Sequence, residues 1–269
     1  MPEGDTIFRA ARSLGKWLEG RTITAARSQR LKVPADRLVG RTVESVEARA
    51  KHLLIRFSGG DVLHTHMRMT GSWHLYSAGD RWRKPAWQAR VVLEAGDRVA
   101  VCFNAPVVEL LAQGEEERHP SLSGLGPDIL DHPFDMEEVL RRVRRQPPQR
   151  AVGDVLLDQR ILSGIGNIYR CETLFLTRIH PETSAAALDD AALTALIEQA
   201  AALMRANLRP APGYDRRFGP AGGPSGPLVY GRTGRPCFRC RAAIRTAVTG
   251  DGPRDVWWCP TCQPPPAMR

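Results

Sequence analysis

Apolar residues recur at Ile7, Ala11, Leu14 and Leu18, and these intervals of four, three and four predict an amphipathic helix over Asp5–Glu19, ended by Gly20. Beyond it the period shortens to two. Thr42–Glu47 alternates, Leu53–Phe57 runs into a turn at Ser58–Asp61, and Val62–His66 returns, the pattern of a hairpin. A second hairpin is expected from Arg90–Leu93 through Ala95–Asp97 to Val99–Phe103. The first ~110 residues therefore read as antiparallel β behind a leading helix, a sandwich or flattened barrel. Helical patterning then takes over at Phe134–Arg145, Gly153–Asp158, Asn167–Leu176 and the Ala/Leu-rich Ala185–Leu208. Between Arg209 and Pro236 the composition shifts to Pro and Gly, as in a linker or loop.

Charge narrows the partner. Lys and Arg outnumber Asp and Glu by 38 to 29, a net charge of +9, which favours an acidic polymer and leaves ribosomal and anionic-membrane surfaces open. No apolar run approaches the ~20 residues that cross a bilayer, and no basic-then-apolar leader opens the chain. The expectation is a soluble, cytoplasmic protein that does not enter a membrane.

Four of the six cysteines fall into two knuckles, Cys237-Phe-Arg-Cys240 and Cys259-Pro-Thr-Cys262, eighteen residues apart. Two thiolates two residues apart share one tight turn, and two such turns complete the tetrahedron that Zn²⁺ prefers. With all four positions filled by sulfur, the expected Zn²⁺ is structural. Cys102 and Cys171 read as small buried residues. Ser163-Gly164-Ile165-Gly166-Asn167 is a small-residue turn opening a helix, which suits a phosphate as well as a plain helix–helix turn. Arg141, Arg142, Arg144, Arg145 and Arg150 form a basic run, either a solvated face or a nucleic-acid surface. Met69, at a strand end before Gly71, is a candidate wedge between bases or a core residue. His64 and His66 share a strand face, but no third ligand is in view and no metal is expected there.

The stretches MPEG, RAKHLLIRF, LLDQRILSGIGNIYR, LVYGRTGRPC and RDVWWCPTCQ follow one another across nearly the whole chain. Together they resemble the formamidopyrimidine-DNA glycosylase and endonuclease VIII family of DNA repair enzymes. The resemblance implies an α+β multidomain protein. A leading helix and antiparallel β-sandwich form the catalytic domain (1–118), followed by a helix-two-turns-helix domain (119–209), a Pro/Gly-rich loop (210–227) and a four-cysteine zinc finger (228–269). It implies that Met1 is removed and that the Pro2 nitrogen attacks C1′ of the damaged nucleotide. Glu3 is then the acid–base partner, and Lys51 contacts phosphate and assists departure of the base. Asn167 and Arg254 pinch the DNA backbone, and Met69, flanked by Arg68 and Thr70, fills the vacated stack.

The chain also departs from the family pattern. Thr6 stands where many relatives have glutamate, with Asp5 beside it. A Pro-Arg-Arg-Phe loop found in members specialised for oxidised guanine is replaced by Phe103–Leu110. This points to the endonuclease VIII branch, which prefers oxidised pyrimidines. The expected activity is a bifunctional DNA glycosylase and abasic-site lyase, monomeric, with one structural Zn²⁺ and no organic cofactor. Two rivals stand beside it: an 8-oxoguanine or formamidopyrimidine glycosylase of the same family, and a non-catalytic damaged-DNA-binding zinc protein.

Overall fold

A computed structural model describes residues 2–29, 33–209, 216–219, 226–250 and 253–266. The expected loop at 210–227 lies largely outside them. Contacts gather the chain into two compact units, Met1–Gly124 and Leu125–Arg269.

The first unit opens with helix α1 (Gly4–Leu18), one residue from its expected limits at either end. Its apolar stripe is buried, with Ile7, Leu14 and Leu18 in the core. Eight strands follow: β1 (Ala25–Ser28), β2 (Val43–Arg49), β3 (His52–Phe57), β4 (Val62–His66), β5 (Ser72–Ser77), β6 (Ala89–Ala95), β7 (Arg98–Phe103) and β8 (Val107–Leu111). They form two antiparallel sheets, ordered β1-β6-β7-β5 and β2-β3-β4-β8. Period-2 alternation sends Leu53, Ile55, Phe57 and Leu63 inward from one sheet and Val91, Leu93, Ala100 and Cys102 from the other, into one core with α1. The structure is thus a sandwich. Both expected hairpins, β3–β4 and β6–β7, are present. Strands β1, β5 and β8 are additions to the sequence reading.

Lys51 does not start a strand. The register Arg49↔His52 leaves Ala50-Lys51 as a two-residue turn between β2 and β3. Ala50 takes φ 56°, the left-handed conformation that a two-residue hairpin demands.

The second unit holds helices α2 (Met136–Arg144), α3 (Val152–Val155), α4 (Asn167–Leu176) and α5 (Asp190–Ala206), then the hairpin β9 (Arg245–Thr249) and β10 (Arg254–Trp258). The Ala-rich helix begins five residues later than its composition suggests. Asp189 caps α5 by accepting from the Ala192 N–H at 2.8 Å, and Ala185–Ala187 form a separate 3₁₀ turn capped by Ser184. An N-cap carboxylate outweighs the helix propensity of the alanines before it. Among the described residues no helix is long and apolar enough to cross a membrane.

Candidate active site

In the first unit the strand register gathers candidate residues at one end of a sheet. His52 pairs with His66, and His66 with Val107, so the Ala50-Lys51 turn, the 67–71 turn and the 104–106 segment share that end. Gly71 N–H donates to the Met67 carbonyl at 2.8 Å, and Thr70 Oγ1 donates to the Asn104 carbonyl at 3.0 Å, closing the 67–71 turn. A side chain at Gly71 would meet Met67 backbone at 2.7 Å, so this tight return requires glycine. Arg68 takes φ 44°. The consequence is a division of the two methionines: Met67 is buried, whereas Met69 is 63% exposed. A core role for Met69 is excluded.

Helix α1 packs on β2 and β3. Its C-terminal end is tied to the start of β2, where Gly20 N–H donates to the Val43 carbonyl at 2.9 Å and Glu19 Oε1 accepts from Val46 N–H at 2.9 Å. From that anchor helix and strand run back alongside one another, which carries the start of α1 toward the end of the sheet that bears Lys51. There Glu3 is fully buried beside a half-buried Pro2, and its carbonyl accepts from the Thr6 and Ile7 N–H groups. Asp5, also buried, pairs with Arg9 at 3.8 Å.

On the sheet face away from the core lie His52, His64 and His66. Burial, then the neighbouring imidazoles, lowers the His52 pKa to about 2; burial, then the charges of Arg68 and Lys51, lowers that of His66 to about 4. Both rings are neutral near pH 7. Among the described residues no group of possible metal ligands joins His64 to His66, but His64 has other partners. His64, Glu109 and His119 place three donor atoms within 4.8 Å of one another.

In the second unit Asn167 and the Arg254 strand come together. Gly164, at φ 100°, and the Gln159 side chain shape the 163–166 turn: Gln159 Oε1 accepts from Gly164 N–H at 3.1 Å, and its Nε2 donates to the Ile165 carbonyl at 3.0 Å. Asn167 then opens α4, and its Nδ2 donates to the Asp255 carbonyl at 2.9 Å, one residue beyond exposed Arg254. Arg170, 1% exposed, donates to the same carbonyl at 3.0 Å. Of the basic run, Arg141 and Arg142 pair with Glu138, Arg144 with Asp190 and Arg150 with Asp158. Those four largely serve the helical fold.

Cys237, Cys240, Cys259 and Cys262 bring their sulfurs within 4.8 Å of one another. The separations Cys240–Cys259, 3.3 Å, and Cys237–Cys262, 3.9 Å, are far beyond a disulfide bond and close to the ~3.8 Å edge of a tetrahedron with metal–sulfur bonds of ~2.3 Å. Arg239 N–H donates to Cys237 Sγ and Cys262 N–H to Cys259 Sγ, each at 3.4 Å, orienting one sulfur in each knuckle. The Ala242 N–H, then the Cys259 thiol, lowers the Cys240 pKa to about 7, which favours one thiolate before any ion arrives. The set fits a four-sulfur metal site. By contrast, burial pushes Cys102 and Cys171 up to about 12, so both stay as thiols.

The sequence reading missed Glu172. It is fully buried on α4, and its carboxylate accepts from the N–H groups of Leu228, Val229 and Tyr230 at 2.7, 3.0 and 2.8 Å, fixing the chain as it enters the cysteine module. Burial raises its pKa against the pull of these donors. In Glu172→Gln an amide NH₂ replaces one acceptor oxygen and faces N–H groups. The variant is expected to lose about 2 kcal/mol of stability, read as a lower denaturant midpoint.

Family models extend over most of the chain: the formamidopyrimidine-DNA glycosylase N-terminal domain matches residues 1–106 and the formamidopyrimidine-DNA glycosylase H2TH domain residues 125–214. A probable endonuclease 8 of Streptomyces coelicolor is 43% identical over 100% of this chain and 96% of its own. A DNA-(apurinic or apyrimidinic site) lyase of Mycolicibacterium smegmatis is 32% identical over 98% and 99%. The fold is shared with Lactococcus lactis formamidopyrimidine-DNA glycosylase, solved with DNA containing an abasic site, at a TM-score of 0.80 and 22% identity over 98% of this chain and 100% of that one. With both domain models and full-length relatives in agreement, the chain belongs to the formamidopyrimidine-DNA glycosylase and endonuclease VIII family, on its endonuclease VIII-like branch, and is an enzyme of the DNA glycosylase and abasic-site lyase class.

Proposed function

We propose that this enzyme excises oxidised bases, pyrimidines in preference, and cuts the abasic strand through an iminium formed on Pro2. Once Met1 is removed, the Pro2 nitrogen lone pair attacks C1′. The C1′–base bond breaks with its electrons leaving on the base, which takes a proton. The Pro2 nitrogen gives up its proton and its lone pair then expels O4′ from C1′, with O4′ taking a proton. The sugar ring so opens to a C1′=N⁺ iminium whose permanent positive charge makes it an electron sink. Removal of a 2′ proton then expels the 3′ phosphate, and loss of a 4′ proton expels the 5′ phosphate, so the strand parts on both sides. Hydrolysis of the remaining iminium returns the amine.

Glu3 is the proton carrier on this reading, first toward the sugar ring oxygen and then during elimination. Lys51 holds phosphate near the lesion, Asn167 and Arg254 grip the backbone, and Met69 with Arg68 enters the gap left by the extruded nucleotide. Zn²⁺ on the four cysteines supplies fold rather than chemistry, since the set leaves no open position. The enzyme works on this reading as a cytoplasmic monomer.

What supports the proposal is buried Glu3 at the start of α1, a helix packed along β2, together with the Lys51 turn and the turn that exposes Met69 at one end of the same sheet. A single panel of paired duplexes tests it. Excision of dihydrouracil or thymine glycol is expected to exceed that of 8-oxoguanine by at least about tenfold, roughly 1.4 kcal/mol of discrimination. The reverse order overturns the pyrimidine assignment. Failure to nick a plain abasic duplex overturns the lyase and favours a DNA-binding protein without catalysis.

A further inference from the structure

We propose that His64 Nδ1, Glu109 Oε2 and His119 Nε2 form a second metal site, for a borderline divalent transition-metal ion such as Zn²⁺, completed by water. The site lies wholly within the first unit and depends neither on the DNA chemistry nor on the cysteine cluster. His64 and Glu109 are direct cross-strand partners on β4 and β8. His119 comes from the segment that follows β8. Glu109 Oε2 lies 3.2 Å from His64 Nδ1 and 3.0 Å from His119 Nε2. Ligands held ~2.0 Å from a tetrahedral ion stand about 3.3 Å apart, close to both separations from Glu109 Oε2, and the third pair lies within 4.8 Å. His64 is buried, whereas Glu109 and His119 are 35% and 15% exposed at their side chains, which leaves a way in for ion and water.

The surroundings suit an ion. Both imidazoles converge on the same carboxylate oxygen. Behind His64, its Nε2 lies 2.8 Å from Nδ1 of His52. A ligating histidine characteristically donates its other N–H to such an acceptor, which fixes ring orientation and tautomer. With an ion at His64 Nδ1, the ring proton sits on Nε2 and is donated to His52. Without one, the bond runs the other way: His52 Nδ1–H donates to His64 Nε2, and His64 Nδ1–H donates to Glu109. Occupancy thus reverses a buried hydrogen bond. The ion would also fasten His119 to β4 and β8, beside the Arg56–Glu116 pair that holds the same segment at 2.5 and 3.0 Å. Two imidazoles and a carboxylate select Zn²⁺ and its neighbours over Mg²⁺ or Ca²⁺, which prefer all-oxygen ligands.

Full-length protein, stripped of metal and titrated with Co²⁺ under reducing conditions, tests this without reference to activity. Two equivalents are expected. One gives the intense near-ultraviolet thiolate-to-cobalt band of the cysteine site, and the other gives only weak visible bands of a nitrogen–oxygen site. His119→Ala and Glu109→Gln are each expected to lower the stoichiometry from two to one, to keep the thiolate band of the cysteine site, and to keep the wild-type far-ultraviolet circular dichroism, which reports that the β-rich first unit is folded. ¹⁵N spectra of wild-type protein are expected to show the His64 proton moving from Nδ1 to Nε2 as the second equivalent binds. A single equivalent in wild-type protein, or two in His119→Ala, overturns the proposal.

Discussion

A chain in which Pro2 remains in peptide linkage, to Met1 or to an N-terminal tag, is expected to give no borohydride-trapped adduct with abasic DNA and to lose strand cleavage by on the order of 10³-fold or more, the scale of losing a covalent nucleophile. An amide nitrogen delocalises its lone pair into the carbonyl and cannot attack C1′. A free α-amine titrates near ~8, about two units below a lysine, so a usable fraction is unprotonated at neutral pH without the deep burial a lysine needs. Pro2→Gly, which offers a primary amine without the ring that restrains it, is expected to lose trapping as well. Helix α1 starts at Gly4 with its stripe intact, so both proteins are expected to fold and to bind DNA. Equal trapping by the blocked protein would remove Pro2 from the reaction. Loss of binding together with trapping would place the residue in structure instead.

The parts of the fold that could be read from sequence are those whose information is local. Helix α1 declares itself by its own periodicity, and the β3–β4 and β6–β7 hairpins by alternation on both sides of a short turn. Strands β1, β5 and β8 are each defined by a partner that is not a hairpin neighbour: β6, β7 and β4. No window of sequence contains that pairing. The same holds for the candidate sites. Cys237, Cys240, Cys259 and Cys262 announce a metal site because ligand spacing within each knuckle is set by the backbone. His64, Glu109 and His119 carry no such spacing, and only the β4–β8 register and the returning segment unite them. Glu172 has no local signal, because the N–H groups of residues 228–230 that require an acceptor there lie more than fifty residues away in sequence. Motif matching found Asn167 and Arg254 separately. Their closeness follows from the shared carbonyl of Asp255, which buried Arg170 holds as well.

Loss of one thiolate from the cysteine set, as in Cys259→Ser, is expected to unfold the segment around 237–263 and to weaken binding to abasic DNA at least about tenfold. Structural Zn²⁺ supplies ~10–16 kcal/mol of apparent binding energy to small modules that otherwise lack a core, more than a short hairpin can replace. The module is also docked on the end of α4 and the turn after it: Arg239 donates to the Phe175 carbonyl at 2.9 Å, and Gln263 Nε2 to the Ile179 carbonyl at 2.8 Å. Unfolding should therefore register in Trp257, whose indole donates to Thr233 Oγ1 at 2.9 Å, and in Trp258, which stacks edge-on with His180. Binding weakens on this account because β10 carries Arg254, and the slope of log Kd against log salt is expected to fall by about one as that phosphate contact is lost. Arg254→Ala is the companion measurement, since it should reproduce the change in salt slope and leave both tryptophan signals alone. The α4 side offers a competing support, because Asn167 and Arg170 grip the Asp255 carbonyl without any metal. If that grip is sufficient, Cys259→Ser protein shown to lack the metal will bind DNA as tightly as wild type, and the metal will have no part in presenting Arg254.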